Sequence, residues 1–200
     1  MIDAGTSDNQ DADALQQAVL TSVKHWLEQG VIGLNLCPFA RAVHVKGQIR
    51  WVALSGVSDP EDVRQQVQAE LRHLAGTPPS EIDTTLIIVP DALGDFVDFG
   101  LFVEGLNPLL KREGLKGVLQ IASFHPQFEF AGEDPASVSH YTNRSPYPVI
   151  HLLREASMST AIEKFGDTDR IWQSNIDRLA SMSASDLEQV FPHGNWTAKP

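Results

Sequence analysis

Apolar residues recur at helical spacing through Leu15, Val19, Leu20, Val23, Trp26 and Leu27, and Gly30 follows as a natural stop. The spacing predicts an amphipathic helix. A bridge, VIGLNLCPFARA, leads into VHVKGQIRWVALS, where Val43, Val45, Ile49 and Trp51 alternate around Lys46-Gly47 and predict a β-hairpin. Next, SDPEDVRQQVQAELRHLAG combines a capping Ser58 or Asp59, Pro60 at a first helical position and apolar Val63, Val67, Leu71 and Leu74. That is a second helix. TTLIIVP is a continuous β-branched and aliphatic run ending at Pro90, as expected of a buried central strand. DFVDFGLFVEGLNPLLKREG predicts a third helix, kinked or interrupted at Gly105 and Pro108, and GVLQIASF predicts the next strand.

Strand, helix and strand with connections this short favour a right-handed βαβ crossover between parallel neighbours, which the hairpin extends antiparallel. No periodicity is visible between Phe124 and Val149, a long stretch for a connection inside one domain. PVIHLLREASMSTAIEKF then reads as a helix with Pro148 at its start, and DTDRIWQSNIDRLASM as another with Ile171, Ile176 and Leu179 inward. The expected fold class is α+β, layered in an α/β-like way, with a mixed sheet of about four strands, a βαβ crossover and about five helices. Residues 1–13 are expected to be a disordered acidic N-terminus, 14–192 a single globular domain and 193–200 a C-terminal tail.

Composition narrows the partners. The chain has 200 residues, 42% of them hydrophobic, which suits one core without disulfides. Its formal charge of −11 argues against a nucleic-acid binder. No apolar run is long enough to span a bilayer, and the acidic start, with Asp3, Asp8, Asp11 and Asp13, is unlike a signal peptide. With one cysteine there is no disulfide framework, so a cytoplasmic location is expected. Small anionic ligands remain compatible with a locally basic cleft.

Candidate chemistry gathers in three places. His125 follows the carboxyl end of a strand, where ligands collect in open α/β sheets, and would serve acid–base work or merely tie down its loop. In TNRSPYPVIHLLRE, Pro146 and Pro148 stiffen the approach to a helix whose start would favour an anion. Arg144 lies upstream, Ser145 offers a hydroxyl, and His151 and Arg154 would share a helix face at i, i+3. The alternative for this stretch is structural, with Arg154 paired to an acid and His151 in a core contact. Cys37, followed by Pro38, would cap a short helix with a lowered thiol pKa, or be an inert small core residue. Cys-Pro-Phe is similar to the glutaredoxin redox motif, but position 40 is Ala, no second cysteine exists and no strand opens the motif. That reading is rejected.

The histidines, His25, His44, His73, His125, His140, His151 and His193, form no metal-binding signature, so no metal is expected. Phosphate-loop, dinucleotide and nucleophile-elbow motifs are missing too, and the sequence names no cofactor. Glu133 and Asp134 are loop acids, read as turn residues before catalytic ones.

The stretches LNLCPFARA, TTLIIVP, QIASFHPQFEFAG and TNRSPYPVIHLLRE together resemble domain of unknown function family 1415, a group of bacterial and plastid-related proteins, over nearly the whole body. The resemblance implies that Cys37, Pro38, Phe39, His125, Pro126, Asn143, Arg144, Ser145, Pro146, Tyr147, Pro148, His151 and Arg154 fall in the family's signature stretches. It implies no activity. The leading expectation is a cytosolic enzyme acting on a small phosphate- or carboxylate-bearing substrate, with His125, His151 and Cys37 catalytic. Asn143, Arg144, Ser145, Tyr147 and Arg154 would bind the substrate. The alternatives are a small-ligand-binding protein without catalysis and a protein-interaction domain that uses the loop from Phe124 to Tyr147.

Overall fold

A computed structural model of the chain describes residues 5–165 and 168–192. One mixed sheet in the order β1-β2-β4-β3 divides two layers of helices. Strand β1 (Ile49–Ala53) runs parallel to β2 (Thr84–Ile88), and β4 (Val149–Arg154) runs antiparallel to both β2 and β3 (Leu119–Phe124). The α+β class and the mixed sheet of four strands are as expected.

On one face lie α3 (Pro60–Gly76), α4 (Phe96–Glu104) and α5 (Asn107–Arg112). Helix α3 forms where its caps and stripe place it. The Asp59 side chain accepts from the Glu61 N–H at 2.8 Å, and Val63, Val67, Leu71 and Leu74 are all fully buried. Asp95 caps α4 in the same way, and the predicted interruption falls at Gly105 and Leu106, between α4 and α5. The other face is covered by α1 (Gly5–His25), a π-helical turn (Trp26–Ile32), α7 (Thr168–Ser181) and α8 (Ala184–Val190). Two more helices, α2 (Ala40–Val45) and α6 (Glu155–Phe165), complete the described residues.

Four expectations need correction. The first arm of the predicted hairpin is helix α2. Gly47, at φ 67°, donates to the His44 carbonyl, and Gln48 donates to the Val43 carbonyl, a Schellman closure that ends a helix where the sequence suggested a turn between strands. Secondly, β2 and β3 are parallel but not adjacent, because β4 lies between them; the βαβ unit with neighbouring strands is β1-α3-β2. Thirdly, Pro148 opens strand β4, not a helix. Its carbonyl accepts from the Val89 N–H at 2.9 Å, and the helix begins only at Glu155. Lastly, the first helix does not stop at Gly30: α1, which starts at Gly5, runs into the π-helical turn that continues past that glycine. Residues 1–4 and the expected tail, with His193, lie outside the described residues.

Candidate functional site

The long connection after β3 is held by side chains bonding to its own backbone. His140 is buried in a 3₁₀ turn (Val138–Thr142); its Nδ1 accepts from the Phe130 N–H at 3.1 Å, so Nε2 carries the proton donated to the Asp134 carbonyl at 2.8 Å. Asp134 also accepts from the Ala136 N–H, which makes it a turn residue, and Glu133 is exposed.

His125 serves the same connection. It is fully buried, and its Nδ1 accepts from the Gln127 N–H at 3.1 Å. That fixes the tautomer, so Nε2–H donates to the Leu93 carbonyl at 3.2 Å. Leu93 is one of two non-glycine residues with positive φ among those described, and the histidine holds it from the side. Phe96 and Phe99 pack against the ring at 5.5 and 5.0 Å. Burial pushes the imidazole pKa down, partly opposed by the Leu93 carbonyl and by Asp95. Both ring nitrogens are engaged with backbone, so His125 ties the loop down.

The remaining site residues separate. His151 and Arg154 are three apart in a strand, hence on opposite faces. His151 faces the α1 layer. Thr84 Oγ1 donates to the Leu152 carbonyl at 2.7 Å and therefore accepts from His151 Nε2–H at 2.6 Å, while burial lowers the ring pKa to about 4. Arg154 faces α3 and is buried; its guanidinium donates to the carbonyls of Leu74, Thr77 and Ile82, with Asp83 at 3.9 Å. At the end of β4, it closes the carboxyl end of α3. Cys37 packs at the edge of the α1-side core. Burial pushes its thiol pKa up, against the pull of the Phe39 and Ala40 backbone, which is the reverse of an activated nucleophile. His151 and Arg154 are therefore on opposite sides of the sheet, and none of His125, His151, Cys37 and Arg154 lines the cleft beside Arg144.

What TNRSPYPV does build is one wall of a cleft. The His125 N–H donates to the Asn143 carbonyl at 3.2 Å, so the stretch runs beside the end of β3 and is joined to it through backbone. The Asn143 side chain accepts from Thr142, and the buried Ser145 hydroxyl donates to the Tyr147 carbonyl at 2.6 Å. Tyr147 packs on the α1-side core. Arg144 stacks its guanidinium 4.8 Å from the Tyr141 ring centre and donates from Nε to the Phe128 carbonyl at 3.0 Å. Its other contact is a loose one, Glu129 at 3.9 Å.

Arg144, Ser145, Pro146, Tyr141 and Pro126 face Ser22, His25 and Trp26 of the first helical layer and Val190, Phe191 and Pro192 at the end of α8. The cleft between them is shallow and open to solvent, and its enclosed part is about 20 Å³, room for about one water. Sequence reasoning missed Trp26, Tyr141, Phe191 and His25 here. Trp26 reads as core by its helical spacing, and only the fold brings Phe191 to Tyr141, with ring centres 5.8 Å apart. Gly30 allows this approach, since a Cβ there would lie 2.9 Å from the Phe191 ring.

Among the described residues no group of three His, Cys, Asp or Glu is placed to hold a metal, and no helix is long and apolar enough to cross a membrane. No curated protein and no solved structure matches the chain. The family model for the proteins of unknown function DUF1415 matches residues 18–189, and the chain belongs to that family.

Proposed function

We propose that this is a cytosolic protein that binds a small organic anion in the Arg144 cleft, without catalysing a reaction there. One observation carries the reading: the Arg144 guanidinium is stacked on Tyr141 and pinned through Nε to Phe128, on the wall of a mostly apolar cleft. An arginine held this way is preorganised, and its terminal N–H groups suit a fork-like grip on an oxyanion. Apolar walls with a few polar groups are the usual make-up of a small-ligand site. Binding is favoured over catalysis because His125, His151 and Cys37 do not line the cleft. The single cysteine agrees with a reducing compartment.

The test is a titration of wild-type protein and Arg144→Gln with sodium acetate and inorganic phosphate, followed by amide and indole NMR shifts. Saturable shifts at Trp26 and residues 141–146, with Kd near about 1 mM and weakened at least about tenfold in the variant, are expected. Shifts spread over the surface, or identical in both proteins, would defeat the reading.

A further inference from the structure

The geometry points to the outer face of α4 as a docking surface for a cationic amphipathic helix of another protein. Helix α4 is apolar on nearly every side. Phe99 and Phe102 are buried in the α3 layer, while Val97 and Leu101, one turn apart on the far side, are 66% and 63% exposed. A helix apolar all round is normally covered on both sides, and this one is covered on one. The apolar surface continues past the helix, since Phe96 meets Phe128 at 5.3 Å between ring centres and Phe128 meets Phe130 at 5.0 Å. All three rings are only partly buried. Gly100 lies one turn after Phe96 and beside Leu101, and a Cβ there would touch nothing within 4 Å, which leaves a dip for an apolar side chain of a partner.

Charge selects the occupant. From Leu74 to Leu110 the chain has no Lys, Arg or His but carries Glu81, Asp83, Asp91, Asp95, Asp98 and Glu104. The stretch from Pro126 to Ser139 has no basic residue either, and brings Glu129, Glu133 and Asp134. These two acidic segments meet where Phe96 packs on Phe128. Asp98 and Glu104 are exposed, and no basic group among the described residues stands within ion-pair distance of them. Arg64, the cation beside the end of α4, is taken up by Glu61 and the Gly105 carbonyl. An apolar stripe edged by unpaired acids attracts lysine or arginine placed beside apolar anchors. It repels nucleic acid and anionic lipid, and a second copy would set the same acids against each other. The helical form of the partner follows from the spacing, because the Val97–Leu101 ridge matches residues i and i+4 of a second helix.

The experiment is calorimetric titration of the full chain, at about 0.15 M salt, with an amphipathic leucine–lysine peptide of about four helical turns and with its leucine–glutamate counterpart. The lysine peptide is expected to bind with Kd on the order of 10 μM, and the glutamate peptide at least about tenfold more weakly. Val97→Gln with Leu101→Gln should weaken the lysine peptide at least about tenfold at a nearly unchanged urea midpoint, because both side chains are exposed. Asp98→Asn with Glu104→Gln should weaken it severalfold. Asp177→Asn with Glu188→Gln removes the same charge from α7 and α8, on the other face of the sheet, and should leave binding unchanged. No binding, affinity untouched by the Val97 and Leu101 changes, or equal losses from the two charge pairs would each overturn the proposal. A wild-type dimer dissociated by Leu101→Gln would mean that a second copy covers the face, and anionic vesicles bound through Val97 and Leu101 would make it a membrane surface. Either result overturns the assignment to a cationic helix.

Discussion

His151 sits mid-sheet with Nε2–H given to Thr84 and its pKa lowered to about 4 by burial alone. An unfolded histidine titrates near about 6.5. Above that pH both states hold a neutral ring and the group is silent. As pH falls from about 6.5 toward 4, the unfolded chain takes up a proton that the folded one refuses, so stability drops by about 3 kcal/mol and levels off below the folded pKa. His125 acts in the same direction. Urea unfolding of wild type and His151→Phe at pH about 7 and about 4.5 should show the difference between them shifting toward the variant at low pH by most of that amount. A pH-independent difference would mean that His151 is hydrated and titrates normally. Thr85 offers an opposite case: its hydroxyl is fully buried on the α3 side and has no hydrogen-bond partner among the described residues. Thr85→Val keeps the shape and removes an unsatisfied group, so it should raise stability by about 1 kcal/mol, read as a higher urea midpoint at unchanged slope. The third buried polar residue, His125, shows the limit of reading single positions. Its place after a strand is legible in the sequence, but its role depends on Leu93 and Gln127, and the partner from the α4 side lies 32 residues away in the chain.

Helix α2 and strand β4 carry the element-scale lesson through Gly47 and Arg154. Gly47 ends α2 in the left-handed region with open space around its missing side chain. Gly47→Ala should therefore cost about 1 kcal/mol from backbone strain alone, and Gly47→Asn less, by thermal or urea unfolding. Equal stability of all three proteins would contradict the Schellman ending. Arg154 joins the end of β4 to the last carbonyls of α3 and to the turn before β2. Arg154→Met leaves those carbonyls without their donor, and about 3 kcal/mol of stability should be lost, with Arg154→Lys recovering only part because it lacks the planar fork. Anion binding at Arg144 should survive in whatever fraction of Arg154→Met remains folded. Elements with local signals are legible in the sequence: α3 from Asp59, Pro60 and its stripe, β2 from an unbroken apolar run, the α4 break from Gly105 and Pro108. Strand β4 is not. VIHLL is flanked by β2 and β3 and covered on both faces, so it lacks the alternation that marks a half-exposed strand, and the helix-forming run after it gives it a helical look. That one misreading also displaces the expected anion site, because it puts His151 and Arg154 on one face.

At the scale of the molecule, the central position of β4 makes the fold depend on pairings distant in sequence. Val149 meets Ile88 on one side and Phe124 on the other, and the two apolar layers are both built on residues of this strand: Ile150 and Leu152 in the α3 layer, Val149 in the α1 layer. Neither layer can be completed until residues 149–154 have inserted between β2 and β3. Hence β2 and β4 should open only when the whole domain unfolds, whereas α2, which buries none of its residues, should open on its own at a small cost. Native-state hydrogen exchange tests this directly. Amides of Leu86 to Ile88 and Ile150 to Leu152 should share one protection free energy equal to that from urea unfolding. Those of His44 and Val45 should exchange at least about a thousandfold faster, and β1, an edge strand, should fall between. A ligand in the Arg144 cleft touches α1, the connection after β3 and the end of α8, three segments that meet only in the finished fold. Saturating acetate should therefore raise protection in β2 and β4 by the full binding increment and leave α2 unchanged. If protection rises only in the connection itself, the cleft is coupled to local opening of residues 125–148 and not to the sheet.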